Sequence, residues 1–485
     1  MDVVKRAGPS GLTTERETLL RELANIPGVY VPWLYEPDGS GRVAPRVAGI
    51  PDRIARRYVN VETSFYPTAP IVPFTQAVHD RLSLEIMRGC TRGCRFCQVG
   101  MLTRPLRERS VERLLRIADE ALRNTGYEEV SLSSLSSSDY FEIESLVDRV
   151  VARCAPDKIA VALPSQRGDM FTVTLANRVR QVKRNTLTFA LEAGTARLRE
   201  VVNKGLSEAH LFRSLTAAYQ AGWRQVKLYF MIGLPTETTE DLQGIVDMVR
   251  RIRTQFPGLK PVLTVSAFVP KPHTPFQWHA QDGTATLREK FAWLKANVPA
   301  HIRTGGEEMS FVEGCWSRGD RRLGGVLRKA WELGCRFDAW DEQFSLPRWR
   351  MAFEMTGVDP GAYTGGRGAD ETFPWEHLDF GVTRGFLRKE WEKAVGLGVE
   401  TSDCRGDVCH GCGTQKACQD QGWGMFAKMR GLEPGATGTG RPSLESEAAT
   451  EARALSLLSP SPPPGERAGV RGNPLPSAQE AGADR

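Results

Sequence analysis

The sequence predicts an α/β fold, in which strand–helix repeats curve into a partial (β/α)6 TIM-type barrel. A mostly helical C-terminal region and a Cys-rich metal-binding segment follow it. Three observations predict this. Between residues 81 and 300, apolar β-branched runs alternate six times with amphipathic helical stretches, the pattern of βαβ units on a parallel sheet. Three cysteines fall at 90, 94 and 97, directly after the first such run, where a parallel α/β fold carries its active site. Four more fall at 404, 409, 412 and 418, in a small Gly-rich segment that needs a metal to fold.

Residues 1–80 read as an N-terminal connector: a helical stretch at 14–24, then a run broken by Pro32, Pro67, Pro70 and Pro73. Such runs connect or pack over a neighbouring domain. Residues 81–300 form the core barrel. Its strands are expected at 82–87, 128–133, 159–163, 186–191, 225–232 and 262–268. Its helices are expected at 111–124, 142–153, 171–182, 208–221, 240–255 and 286–297. A doubly wound sheet gives the same alternation, so the pattern alone leaves closure open. Residues 301–400 are helical and Trp-rich, and 401–431 form the Cys-rich segment. From 432 to 485 Gly, Ser, Pro and Ala dominate, the composition of a disordered tail.

Composition narrows the classes. No apolar run approaches the roughly 20 residues of a membrane helix, and the N-terminus has no charged-then-apolar leader pattern, so the expected location is cytoplasmic with no membrane partner. In such a chain, close cysteine clusters are metal or cluster ligands rather than disulfides. A net charge of +6 on 485 residues tolerates an RNA partner without demanding one.

Cys90-Thr-Arg-Gly-Cys94-Arg-Phe-Cys97 has CxxxCxxC spacing. Three thiolates ligate three irons of a [4Fe–4S] cluster and leave the fourth open. A zinc site needs a fourth ligand, and no histidine is near. Gly93 lets the backbone wrap closely, and Arg88, Arg92 and Arg95 are placed to offset a cluster's negative charge. The spacing resembles that of the radical S-adenosylmethionine (SAM) superfamily. The resemblance implies a radical SAM barrel, a [4Fe–4S] cluster and SAM as cofactors, and reductive SAM cleavage to a 5′-deoxyadenosyl radical. It also implies a reductant such as flavodoxin or ferredoxin.

It further implies roles at the strand ends. Ser133 and Ser134 open a Ser-rich turn where the family places a small-residue turn near the SAM amino group; this sequence lacks the glycines and glutamate usual there, which leaves the work to backbone carbonyls. Ser165 and Arg167 end the third strand. Glu192, in Leu191-Glu-Ala-Gly-Thr195, resembles the family's polar residue beside SAM. Gly233 and Pro235, in Tyr229-Phe-Met-Ile-Gly-Leu-Pro-Thr-Glu237, resemble its turn against the adenine. After the sixth strand, Lys271 and His273 are expected to face the barrel mouth. His273 is the candidate proton donor, weighed against a solvated histidine on a Pro-rigid loop. Arg104, Arg107 and Arg109 are expected to pair with helix carboxylates.

Glu85-Ile-Met-Arg-Gly-Cys90, Arg104-Pro-Leu-Arg-Glu-Arg109 and Phe268-Val-Pro-Lys-Pro-His-Thr-Pro-Phe-Gln-Trp278 resemble more closely a bacterial group that pairs a B12-binding-like domain with a radical SAM domain. That resemblance covers about residues 25–420. The group's larger members carry the cobalamin-like domain ahead of the region that begins here, and this sequence has no Asp-x-His-x-x-Gly cobalamin motif. A B12-binding partner chain, a shortened form and a cobalamin-independent enzyme each fit.

Cys404, Cys409, Cys412 and Cys418 supply four thiolates, enough for a second Fe–S cluster or a zinc ion. The leading reading is a radical SAM enzyme that modifies a substrate the sequence does not name. Its rivals are a methyl- or methylthiotransferase acting on RNA or protein, an Fe–S electron-transfer or RNA-binding module, and a zinc-stabilised scaffold. One expectation follows from composition alone. Truncation at Ala436 should leave SAM cleavage intact and shift the melting temperature by no more than about 2 °C, as read by scanning fluorimetry; a larger fall would show a docked tail.

Overall fold

The computed structural model describes residues 14–38, 41–75, 77–164, 187–405 and 409–420. The expected helix at 171–182, the candidate residues Ser165 and Arg167, and the tail 432–485 lie outside the described residues.

Among the described residues, seven parallel strands form the core. β1 (Leu82–Glu85), β2 (Glu129–Ser133) and β3 (Ala160–Ala162) make one sheet in that order. β4 (Leu187–Glu192), β5 (Gln225–Ile232), β6 (Lys260–Ala267) and β7 (His301–Arg303) make another. All six expected strands are present. The first ends early, because Met87–Arg88 turns off to pair antiparallel with Arg107–Glu108. β7 is additional, and three residues are too few to show an alternating pattern.

Alternation along β5 shows why these runs are strands. Val226, Leu228, Phe230 and Ile232 are buried on one face, as a period of two requires. Helices cover the strands: the short α1 (Gln98–Leu102), then α2 (Val111–Thr125), α3 (Ile143–Cys154), the short α4 (Ala196–Val201), α5 (Glu208–Gln220), α6 (Thr239–Gln255) and α7 (Thr284–Asn297). α2 begins where the Ser110 hydroxyl accepts the Arg113 N–H at 3.2 Å and ends at the left-handed Gly126, a paired start and stop signal. It buries Leu114, Ile117, Ala118 and Ala121 against Leu84, Val130 and Leu132 of the sheet.

Beyond the barrel, α8 (Glu307–Ser317), α9 (Leu323–Glu332) and α10 (Leu346–Thr356) enclose a separate core of Val312, Cys315, Val326, Trp349 and Phe353. α11 (Arg384–Glu392) returns to the barrel. The N-terminal segment packs Ala24, Leu34, Tyr35 and Ile54 together, and Ile54–Ala55 pairs in parallel with Leu378–Asp379. Among the described residues, no helix is long and apolar enough to cross a membrane.

One contact sets how closely α6 approaches the end of β4. A Cβ on Gly194 would overlap the Asp241 carbonyl and the Ile245 amide. Backbone cannot yield as a side chain can. Gly194→Ala should therefore destabilise the protein by about 1–3 kcal/mol. Gly324→Ala, which meets nothing within 4 Å, should leave stability unchanged or raise it by up to about 1 kcal/mol. Urea midpoints of the two variants test this pair.

Candidate functional site

The three clustered cysteines occupy a loop that enters and leaves through the same two-stranded neck, Met87–Arg88 against Arg107–Glu108. Gly89 begins it at φ 102°. A Cβ there would lie 2.8 Å from Pro105 O and 2.9 Å from Leu106 Cα, so glycine alone lets the entering chain cross the leaving one. Gly93 turns the chain between Cys90 and Cys94 at φ 72°. The Cys97 amide donates to Cys94 O at 3.1 Å, and Cys97 Sγ caps α1 by accepting the Gly100 N–H at 3.3 Å. All three thiols are half-buried, and all ten cysteines of the chain are free.

Burial pushes the Cys97 thiol up to about 12, and Cys94 and Cys90 press the same way against the Gly100 amide and Lys204. A thiol so placed ionises only against a strong cation, which cluster iron supplies. The donor set therefore fits a [4Fe–4S] cluster: three soft ligands on one loop. Among the described residues, no three histidine, cysteine or acidic side chains close to single-ion distance.

The loop's arginines do not serve as expected. Arg88 forks onto Glu85 at 2.7 and 2.9 Å. Arg92 Nε lies 2.9 Å from Asp139 Oδ2 and 3.2 Å from Asp403 Oδ2. Arg95 has no exposed surface; it donates to Glu390 Oε2 at 3.1 Å and to the carbonyls of Glu200, Val201 and Val399. Each charge is already matched, so these residues fasten the loop rather than neutralise what it holds. The cation that does act on a thiol is Lys204, which the motifs did not reveal. Its Nζ lies 2.8 Å from Glu192 Oε1, and its charge lowers the Cys97 pKa against burial.

The strand ends lie at the same edge as this loop. β4 and β5 stay in register to Ala190–Tyr229, then Glu192 stands opposite Phe230. The extra residue is a bulge, and Glu192 sits at φ 71°. Bulges of this kind re-aim side chains at strand ends. After β2, the Ser133 carbonyl accepts the Ile86 N–H at 3.0 Å, and Ser134 Oγ lies 2.8 Å from Ser137 Oγ. Ser137 Oγ donates to Leu132 O at 3.0 Å, and Ser136 Oγ to Asp139 Oδ2 at 2.7 Å. The serine turn thus spends these groups on its own shape. After β5, the Gly233 N–H donates to both Glu237 oxygens, at 2.9 and 3.0 Å, and Lys290 bridges Glu237 to Asp282 at 2.7 Å each. Pro235 is buried in this turn. The Gly233 amide is thereby committed.

His273 is half-buried rather than solvated on an open loop. Its ring meets Phe380 edge-on at 4.9 Å, and its Nε2 is buried with no hydrogen-bond partner among the described residues. Burial pulls its pKa down to about 4, Asp379 opposing and His377 adding. Lys271 pairs instead with Glu313 and Ser317 of α8. Of the three arginines after the loop, Arg109 alone meets a carboxylate among the described residues, Glu85 at 2.9 Å. Arg107 donates to the carbonyls of Pro105, Thr103 and Val59.

Arg104 faces the second cysteine set. Burial pushes the Cys404 thiol up to about 12, and Arg104 opposes it. At Cys412 burial also acts upward, but the Thr414 hydroxyl and amide and Arg104 outweigh it and hold the pKa below the ordinary value. Thr414 Oγ1 lies 3.2 Å from Cys412 Sγ and 3.7 Å from Cys418 Sγ. Cys409 is exposed.

Residues 84–249 match the family described as the radical SAM superfamily. The chain carries a radical SAM domain over those residues. As a radical SAM enzyme, it is of a class that uses a [4Fe–4S] cluster and SAM. An uncharacterised protein of Methanocaldococcus jannaschii is 29% identical over 339 residues, 69% of this radical SAM chain and 70% of that protein. A tRNA-2-methylthio-N(6)-dimethylallyladenosine synthase of Chlorobium phaeobacteroides is 23% identical over 180 residues, 36% of this chain and 40% of the synthase, so the chain spans less than half of that relative's length. A solved radical SAM methyltransferase, TsrM from Kitasatospora setae, with cobalamin and a [4Fe–4S] cluster bound, aligns at 16% identity with a TM-score of 0.35. The alignment covers 41% of this chain and 38% of that one, a likeness too slight to bear on the chemistry.

The half-buried His273 makes stability depend on pH. Its folded pKa lies below the unfolded value near 6.5, so only the unfolded chain gains the proton as pH falls from about 6.5 towards 4, and stability drops. Wild type should lose up to about 2 kcal/mol more than His273→Asn between pH 7.5 and pH 5. Asparagine tolerates the positive φ of 57° without titrating. Denaturant midpoints at the two pH values check the sign.

Proposed function

We propose that Cys90, Cys94 and Cys97 hold a [4Fe–4S] cluster with which the enzyme cleaves SAM and directs the radical at a substrate. The observation that carries this is the necked loop, which gathers three half-buried thiols at the carboxyl edge of the parallel strands. A cluster bound there, with SAM on the iron that lacks a protein ligand, supplies reductive cleavage to methionine and a 5′-deoxyadenosyl radical.

The chain's own part is positioning. Glu192, held by Lys204 beside the Cys97 thiol, offers its second carboxylate oxygen to the SAM amino group or ribose. Ser133 and Ser134 after β2, and Gly233 and Pro235 after β5, form the rim on either side, and Ser165 and Arg167 join them by resemblance. Because the Gly233 N–H is bound by Glu237, that turn meets the adenine through its carbonyl and apolar surface. The electron comes from a flavodoxin- or ferredoxin-class reductant in the cytoplasm.

Methyl or methylthio transfer to RNA or protein is the second reading. The likeness to the tRNA synthase and the second thiol set favour it. It predicts S-adenosylhomocysteine among the products. Assays with and without added cobalamin test the B12-partner reading alongside.

Anaerobically reconstituted protein should bind about four irons on the three cysteines and release 5′-deoxyadenosine under dithionite. Cys94→Ala should release none; retained cleavage would defeat the assignment. Glu192→Gln should keep its first-site iron yet raise the KM for SAM roughly tenfold, the loss of one charge-assisted hydrogen bond.

A further inference from the structure

Every second residue from Val399 to Arg405 is bonded to the first cysteine loop or to what surrounds it. Val399 O accepts from Arg95 at 2.8 Å. The Thr401 N–H donates to Asn203 Oδ1 at 2.7 Å, while Asn203 Nδ2 donates to Arg92 O and Gly93 O at 3.1 Å each. Asp403 Oδ2 lies 3.2 Å from Arg92 Nε. Arg405 donates to Asp139 O at 2.6 Å and to Asp139 Oδ1 at 3.0 Å. Arg92, Asp139, Asp403 and Arg405 thereby form a closed ring of alternating charge, with side chains at most 18% exposed.

Cys404 stands between the two acting charges and belongs to the other group. Its electrostatic neighbours are Cys412, Cys418 and Arg104, and Cys409 acts on Cys418. Little apolar packing holds that group: between 409 and 420, Thr414 is the one fully buried residue among those described. Its tether is the 412–413 turn, where Cys412 O accepts the Thr383 N–H at 2.9 Å and Gly413 leaves no room for a Cβ against Gly381 O. Four thiols in a segment with so little core suit a metal centre, whose binding energy would be folding energy.

We propose that Cys404, Cys409, Cys412 and Cys418 bind a second, thiolate-ligated metal centre that works as a clasp. By fixing Cys404 it holds Asp403 and Arg405 on Arg92 and Asp139, and so sets the shape of the Cys90–Cys97 loop. The four-thiolate chemistry suits an iron–sulfur cluster, whose ligands stand further apart than those of a single ion. The clasp rests on the reading above only for what the first loop holds.

Four variants of the full chain, prepared anaerobically, test it. Cys90→Ala/Cys94→Ala/Cys97→Ala should keep one centre of about four irons with sulfide. Changing Cys404, Cys409, Cys412 and Cys418 together to Ser should remove that centre. It should also reduce several-fold the SAM-induced change in the electron paramagnetic resonance signal of the reduced first cluster. Asp403→Asn/Arg405→Gln should keep the second metal and show the same spectroscopic loss, with Arg405→Lys alone partly restoring it. A four-serine protein with wild-type metal content would remove the site. A four-serine or Asp403→Asn/Arg405→Gln protein with an unchanged signal would remove the clasp. If wild type shows no SAM-induced change, the first reading fails, and the clasp is then judged by alkylation. Faster labelling of Cys90, Cys94 and Cys97 in Asp403→Asn/Arg405→Gln supports it, and an unchanged rate overturns it.

Discussion

Arg95 lies between two cysteines of the first loop and is wholly enclosed. A guanidinium in such a place is tolerable only if every donor finds a partner, and an unpaired buried charge costs about 3–5 kcal/mol. The partners come from three distant stretches: the end of α4, Glu390 of α11, and Val399. Arg95 and the Lys393 and Thr401 side chains hold Glu390 below the usual carboxylate range against its own burial. One side chain, Arg95, therefore ties the cysteine loop both to the barrel and to the C-terminal region.

Around that anchor, charge is paired with little left over. Arg88, Arg92 and Arg95 each answer a carboxylate. Lys204 answers Glu192 while also acting on Cys97. The consequence is local selectivity. The basic residues written into the cysteine motif hold backbone in place, and a lysine contributed after α4 tunes the thiol environment. Replacing a motif arginine thus threatens the loop's shape before it alters the site's charge.

Much of the fold was legible in the sequence, because strand burial at a period of two leaves a trace in residue order. Val226, Leu228, Phe230 and Ile232 carry it plainly; His301–Arg303 is too short to. The cysteine spacing likewise survives in one dimension, since its ligands share one loop. The partners of those ligands do not. Asp139, Lys204, Glu390, Asp403 and Arg405 meet the loop across distances in sequence that no motif records, and their ion pairs exist only once the elements have packed. His273 is less open than its sequence suggests for a related reason. A histidine among prolines reads as exposed, yet Phe380, over a hundred positions later, closes over its ring. The one local signal overlooked was Asn203-Lys-Gly205, a turn whose Asn at φ 55° places its amide on the cysteine loop.

The separation of Arg95 from Glu390, 295 positions along the chain, sets an order of events during synthesis. At roughly 5–20 residues per second, the three cysteines leave the ribosome some tens of seconds before the residues that complete their surroundings. Through that interval they are accessible thiols on an unanchored loop, open to oxidation and to stray metal. Delivery of iron and sulfide is therefore best matched to the finished chain, and a ribosome stalled between these two points would display ligands with no site to put them in.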